Sequence, residues 1–407
     1  MVFVLGGAQS DFSRHLAREG VGLDALVGEV IDQALAAARL EASAIGAIHV
    51  GNAFGELFTG QAQLGAMPAT ARPALWGVPA SRHEAACASG SVAILAAMAD
   101  LEAGRYDCVL VVGVEQERNV PGDLGARHMG AAAWVGHEGE GARYLWPHMF
   151  SRIADAYAER WGLSHDHLRA IAKKNLGNAR RNPLAQTRGW TWTDATLTDD
   201  DPNNGIVEGR LRRYDCAQVT DGAAAVIVAS RDVAAAHARR TGTTPARIAG
   251  WGHRTAGLGL DAKLVRHTDP TQPLLPHLRQ AVTDALGRAQ LPGVHALDGV
   301  EVHDCFTITE YLAIDHLGVT APGEAWKAIE AGMLEPGGEL PVNPSGGLIG
   351  GGHPVGATGV RMLVDAAHQV TGAAGACQVD GATTFGTLNI GGSGTTAVCL
   401  VVQGSTP

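Results

Sequence analysis

Cys87 stands in RHEAACASGSVAILAAMADLEAG, residues 82–104, directly before a small-residue turn and a nearly all-apolar helix. Ser89 suits an N-cap, and a helix that is apolar on all sides must be buried. A thiol at the start of such a helix feels the positive end of its dipole, which lowers its pKa and raises its thiolate fraction. Its own N–H can also serve as an oxyanion donor to an acyl oxygen. This stretch supports two readings: an acyl-carrying nucleophile, or a buried structural cysteine of the common kind.

Three further segments carry side chains able to do chemistry. NPSGGLIGGGHPVGATG, residues 343–359, packs seven glycines and two prolines around His353. Such a turn brings backbone close to a ligand and fixes an imidazole at a helix entrance. A histidine held between Gly352 and Pro354 fits a working base better than a satisfied structural residue. VEVHDCF, residues 300–306, places His303, Asp304 and Cys305 at the end of a strand, where α/β sites assemble. A metal reading of these three is weak, because adjacent residues on extended backbone diverge and no further ligand cluster accompanies them. No metal site is therefore expected. TLNIGGSGTT, residues 387–396, is a last Gly-rich turn before the final strand.

The elements that position these residues follow from hydrophobic pattern. VFVL, AIHVG, CVLVVGVE, AAVIVAS, GVEVHD and TAVCLVVQ read as buried strands. LDALVGEVIDQALAAARLE, SVAILAAMADLEAG, ADAYAERWGLSHDHLRAIAKKN, LLPHLRQAVTDALGRAQL and VRMLVDAAHQVTG read as helices. The alternation predicts an α/β chain of helix-covered sheets. A turn–helix–strand unit beginning at Cys87 has a weak echo beginning at Gly352. This predicts two similar halves, 1–245 and 246–407, with an inserted lid or loop subdomain at about 118–213. That insertion differs in composition and contains the polar stretch WTDATLTDDDPNNG.

The 407 residues, 46% hydrophobic, allow a large core. A net charge of -10 with no long basic run argues against duplex nucleic acid as a partner. No stretch reads as a secretory signal or a membrane span. Six scattered cysteines without a CxxC fit a reducing cytoplasm, so a cytoplasmic enzyme is expected. Cys108, Cys216, Cys377 and Cys399 read as core. A serine hydrolase is disfavoured, since no GxSxG elbow is present.

Together the four Gly- and Cys-bearing segments resemble the thiolase superfamily, in order and over nearly the whole chain. DCAQVTDGAAAVIVAS and IAKKNLGNARRNPLAQ resemble it too. The His303-Asp304-Cys305-Phe306 loop is similar to the sterol-carrier-protein-type branch. Other thiolases carry Asn-Glu-Ala-Phe there and a second catalytic cysteine where this chain has Asn389; here Cys305 takes that place. The resemblance implies two βαβαβαββ halves in an α-β-α-β-α sandwich. It implies Cys87 as the acyl carrier, His353 as its base, and Cys305 as the acid/base at the α-carbon. The N–H groups of Cys87 and Gly391 would form one oxyanion hole, and His303 and His353 the other. It implies coenzyme A and acyl-CoA as substrates with no resident cofactor, a homodimer or dimer of dimers, and a small zinc-ribbon/OB-fold partner.

Candidates for holding the CoA arm are Lys173, Lys174, Arg180, Arg181, Arg212 and Arg213, each of which also reads as part of a solvated basic face. His148 either lines the pantetheine tunnel or packs between aromatics. Acyl transfer to a non-CoA acceptor, an aldolase or condensing reaction on the same fold, and a non-catalytic scaffold are the competing readings.

Overall fold

The computed structural model describes residues 1–199, 202–265, 269 and 271–404. Asp200 and Asp201 of the polar insertion stretch lie outside the described residues. Strands form where β-branched residues run together: β1 Val2–Gln9, β2 Ala47–Gly51, β3 Ala80–His83, β4 Cys108–Glu115, then a small hairpin of β5 Ile206–Glu208 and β6 Leu211–Arg212. They continue with β7 Gly222–Ser230, β8 Ala246–Thr255, β9 Gly299–Val302, β10 Thr384–Gly391 and β11 Thr396–Gln403.

Apart from the hairpin, the strands are hydrogen-bonded in the order β3-β2-β4-β7-β1-β8-β11-β10-β9. The two sequence halves each supply one run of this order, and they join where β1 pairs antiparallel with β8 over Val2–Val4. The halves are related but unequal. In the second, the place of a fifth strand beside β9 is taken by a single parallel bridge, Val300 to Val342.

Alternation along the strands sends side chains to two faces. Leu110, Val112, Ala225 and Ile227 pack with Leu26, Val30 and Ile31 of the outer helix Leu23–Ala38. Val109, Val111, Val226 and Val228 face inward, in one cluster with Phe385, Val398 and Leu400 of the other half. Between the two strand runs of this continuous sheet lie helices Ser89–Glu102 and Val355–Thr371, and helix Pro276–Arg288 covers the far side. This is the five-layered arrangement expected of the fold.

Glycine lets the two central helices cross closely. A Cβ on Gly359 would meet Ser91 Oγ at 2.3 Å and Ser91 N at 2.4 Å, and one on Gly90 would meet Gly356 O at 2.8 Å. The crossing brings the starts of both helices together, and those starts follow Cys87 and His353.

One helix differs from the sequence reading. Residues 154–175 are not one helix: Leu145–Trp161 ends at Gly162 (φ 82), and His165–Ala179 starts with Ser164 accepting from Asp166 N. The insertion, read as a lid or loop subdomain, packs into the second half's core: Met149, Phe150, Ile153, Tyr157, Leu168 and Ile171 are buried in one cluster with Tyr311 and Leu312. No described helix is long and apolar enough to cross a membrane.

Candidate active site

Cys87 sits on a sharp turn. Ala86 before it has φ 50, a left-handed conformation that costs a non-glycine residue about 1 kcal/mol or more. Ser89 does not cap the helix as expected. Its hydroxyl donates to Ala86 O (2.6 Å) and accepts from Ala85 N (2.9 Å), so it ties the turn together instead. Gly391 packs against the same turn: a Cβ there would lie 2.2 Å from Ala85 O. The backbone amide facing the Cys87 sulfur is that of Gly392, while Gly391 closes β10 opposite Thr396.

His303 and His353 converge on the thiol. Their rings are edge-to-face with centroids 5.2 Å apart. The Cys87 sulfur and one nitrogen of each ring lie within 4.8 Å of one another. Hydrogen bonds on the far sides of the rings assign opposite tautomers. Thr358 Oγ1 donates to Pro354 O (3.0 Å), so it accepts Nδ1–H of His353 (2.7 Å) and leaves Nε2 as a bare acceptor. Ser91 Oγ donates to Asn389 Oδ1 (2.8 Å), which turns Asn389 Nδ2 to donate to His303 Nδ1 (3.1 Å). His303 therefore carries its proton on Nε2. One ring offers a base and the other a donor. Hydrogen-bonded in this way, the three groups do not present three free lone pairs to a metal ion.

The His-Asp-Cys run diverges as its extended backbone requires. His303 turns to the thiol. The Asp304 carboxylate accepts from the amides of Leu348 (2.6 Å) and Ile349 (3.2 Å) and from Asn175 Nδ2 (2.7 Å), which pins the Gly-rich turn leading to His353. Cys305 faces the cavity, with Thr309 Oγ1 3.6 Å from its sulfur.

Burial governs the protonation of all four groups. It pushes the Cys87 thiol up to about 12, Glu117 adding to the effect. This overturns the expectation of a thiol acidified by the helix dipole. Cys87 keeps some surface toward the cavity. Burial, then Arg361, holds His353 down at about 3. His303 lies well below its ordinary value through burial, then His353. Cys305 lies well above its own, through burial and then Cys87. The resting site is neutral throughout, with thiols protonated and imidazoles uncharged.

A cavity of about 440 Å³ opens on these groups. Cys87, Cys305 and His353 line it, with Phe54, Met129 and Phe150 among its apolar walls. Arg213 lines it too and makes no ion pair among the described residues. The other basic candidates are engaged elsewhere. Lys173 pairs with Asp194 (2.8 Å), Arg212 with Asp199 (3.1 Å), and Lys174 is buried on Glu310 (2.7 Å). Arg180 stacks on Trp192 and Arg181 donates to Asn178 (2.9 Å). His148 is not in the cavity wall, although Trp146 and Pro147 beside it are. Cys216, read from sequence as core, lines the cavity, whereas Cys108, Cys377 and Cys399 are buried.

Sequence reasoning missed Ser91, Asn389 and Thr358 as the residues that orient the two rings, and Glu117 in the cavity wall. Ser91 and Thr358 did carry a signal: a polar side chain in the first turns of a fully buried helix must find a partner.

Comparison with known proteins identifies the family. The family model for the thiolase N-terminal domain matches residues 2–232, and that for the thiolase C-terminal domain-like region matches 261–404. Among curated relatives, acetyl-CoA acetyltransferase of Methanothermobacter thermautotrophicus is 32% identical over 97% of both chains. Sterol carrier protein 2 of Homo sapiens is 27% identical over 99% of this chain and 72% of its own. Among solved structures, the Ltp2-ChsH2(DUF35) aldolase superposes with a TM-score of 0.79 at 23% identity, covering 100% of this chain and 98% of the other. Human mitochondrial 3-ketoacyl-CoA thiolase in complex with CoA superposes with a TM-score of 0.68 at 19% identity, again covering 100% and 98%. On the two family models and the full-length relatives, this chain belongs to the thiolase family.

Proposed function

We propose that the protein makes or cleaves 3-ketoacyl-CoA through an acyl-thioester on Cys87. The observation that carries this reading is the convergence of Cys87, His303 and His353 within 4.8 Å, on a cavity that also exposes Cys305.

In the cleavage direction, Cys87 attacks the 3-keto carbon as its proton passes to Nε2 of His353. The amides of Cys87 and Gly392 hold the oxyanion; Gly391 contributes by its close approach to the turn. The bond between the α- and β-carbons breaks, leaving the acyl group on sulfur. Cys305 protonates the departing α-carbon, so acetyl-CoA leaves. His303 Nε2–H holds the enolate oxygen meanwhile. His353 joins it as a second donor, since it gains an N–H only after taking the Cys87 proton. Incoming CoA then gives its proton to Cys305 and takes the acyl group, and His353 returns the proton to Cys87. Condensation is the reverse. A neutral resting site suits this scheme, because thiolate and imidazolium form only during attack, when the oxyanion hole shares the charge.

Arg213 is our remaining candidate for the polar arm of CoA, ahead of Lys173, Arg212 and His148. We place the division of the fold at 245/246, since β8 opens the second half at Ala246. Six free cysteines support a reducing compartment such as the cytoplasm. A homodimer or dimer of dimers is the assembly we expect, as closed symmetry is the common outcome for soluble enzymes. A small partner chain also fits, given that the aldolase neighbour's name joins two chains.

The test is intact-mass analysis after incubation with acetyl-CoA and longer acyl-CoAs, with Cys87→Ala as control. An acyl mass on Cys87 that CoA removes is the expected result. An adduct that CoA leaves in place would point to another acceptor. No adduct with any donor would sink the nucleophile assignment for the chain alone.

A further inference from the structure

Glu117 lies two residues beyond β4, in the wall of the cavity that holds Cys87. It is 3% exposed, and among the described residues its Oε1 has no hydrogen-bond partner, although the backbone amides of Val355 and Thr220 lie against the carboxyl. Two neighbouring acids are treated differently. Glu115 accepts from Asn52 Nδ2 (2.8 Å) and Phe54 N (3.0 Å) on one oxygen, and from Ala53 N (2.8 Å) and Gly356 N (3.0 Å) on the other. Asp221 accepts from the amides of Leu16 (3.0 Å), Glu117 (2.8 Å) and Arg118 (2.9 Å). Both are structural carboxylates with every oxygen held. Among the described residues Glu117 alone of the three has a buried oxygen without a hydrogen-bond partner, and its side chain lines the ligand-sized cavity. Burial and the nearby Glu115 and Asp221 keep its carboxyl protonated well above the ordinary carboxylate range. A neutral acid both donates and accepts hydrogen bonds. The same cavity has apolar walls that include Phe54, Met129 and Val355.

A plain alkyl chain would offer that carboxyl no further partner, whereas an oxygen on the chain would. We propose that the acyl group carried by Cys87 bears a hydroxyl or carbonyl oxygen along its chain, and that Glu117 selects for it by hydrogen bonding. The proposal rests on the acyl-thioester reading above. Sites built to hydrogen-bond a substrate oxygen discriminate strongly against the analogue that lacks it, because their own polar group is then stranded.

The experiment measures rates of Cys87 acylation, by intact mass, with acyl-CoAs of matched length. Each is either unsubstituted or bears a hydroxyl on the third, fourth or fifth carbon. We expect at least one oxygenated donor to react about tenfold or more faster than its alkyl counterpart. Glu117→Met should reverse that preference, and Glu117→Gln, which still hydrogen-bonds, should retain it. Alkyl donors reacting as fast or faster with the unaltered protein would overturn the proposal while leaving the thioester intact. So would an oxygen preference that survives in Glu117→Met. If no donor acylates Cys87, the thioester reading itself fails and the proposal falls with it. Should the Met variant not fold, the unaltered protein and the Gln variant decide the matter.

Discussion

On Cys87, the helix that follows it and the protein around it act in opposite directions. A helix N-terminus favours a nearby anion by about 0.3–1 kcal/mol, up to about 2 when partly buried. That is roughly 1.5 pKa units at most. Removing the thiolate from water outweighs it, and Glu117 adds to the penalty once ionised, so the thiol stands at about 12. The expected consequence is that iodoacetamide alkylation of Cys87, followed by peptide mass mapping, keeps accelerating about tenfold per pH unit through pH 10. A plateau anywhere between pH 5 and 8 would mean the dipole prevails. The tautomer pair makes a second prediction. Asn389→Leu removes the amide that holds His303 Nδ1 and frees that ring to turn or change tautomer. The C–C bond-forming or -breaking step should slow on the order of 10²-fold, the usual loss for one oxyanion donor. Acylation of Cys87 from a simple acyl-CoA should be nearly unchanged, because it uses the Cys87 and Gly392 amides. Equal losses in both half-reactions would refute the assigned role. In the sequence Cys87 stood out beside a small-residue turn, His353 in a loop rich in Gly and Pro, and His303 and Cys305 at the end of a strand, while the roles proposed for them came from the family resemblance. Their supporting residues did not stand out, since Ser91 and Asn389 lie almost three hundred positions apart and meet only through the fold.

Among the elements, glycine both specified the architecture and obscured it. In helix Val355–Thr371 a methyl at position 359 would press on Ser91 backbone nitrogen, which cannot yield without moving the neighbouring helix. Gly359→Ala should therefore destabilise the protein by about 1–3 kcal/mol, the usual cost of overpacking, despite alanine's better helix propensity. Gly177, in helix His165–Ala179, has open space where a methyl would sit, so Gly177→Ala should stabilise by about 0.4–1 kcal/mol. Urea titrations of the pair give the comparison, and a gain for both would show that the central crossing is loosely packed. The same residue type explains which strands were visible. AIHVG, CVLVVGVE and TAVCLVVQ are strands over the expected residues. β8, ARIAGWGHRT, escaped notice because glycines 250 and 252 interrupt it. Those glycines admit helix Pro276–Arg288: a Cβ on either would lie 2.0 Å or 1.8 Å from the carbonyl oxygens of Ala285 and Ala281. β10 was likewise read as a turn, although the turn proper begins only after Gly391. The break at Gly162–Ser164 was readable as a glycine stop followed by a serine cap, but the apolar periodicity on both sides concealed it.

For the molecule as a whole, the internal echo between the Cys87 and His353 units indicated paired halves, and the family resemblance implied the layered sandwich. The echo could not indicate how the halves meet, because the β1–β8 pairing, the crossing of the central helices and the shared core bring together residues far apart in the sequence. Nor could composition show that the insertion belongs to the second half's core, as its apolar residues are spread between polar ones along two helices. The position of β1 has an outcome in time. It pairs with β7 on one side and β8 on the other, both more than two hundred residues later in the chain. Ribosomes add about 5–20 residues per second, so β1 waits roughly 10–50 s for either neighbour to be made. For that interval a largely apolar strand has two open edges and no partner. The emerging chain is then exposed to mispairing, and chaperones that shield nascent apolar segments would act on this protein at that stage of its synthesis.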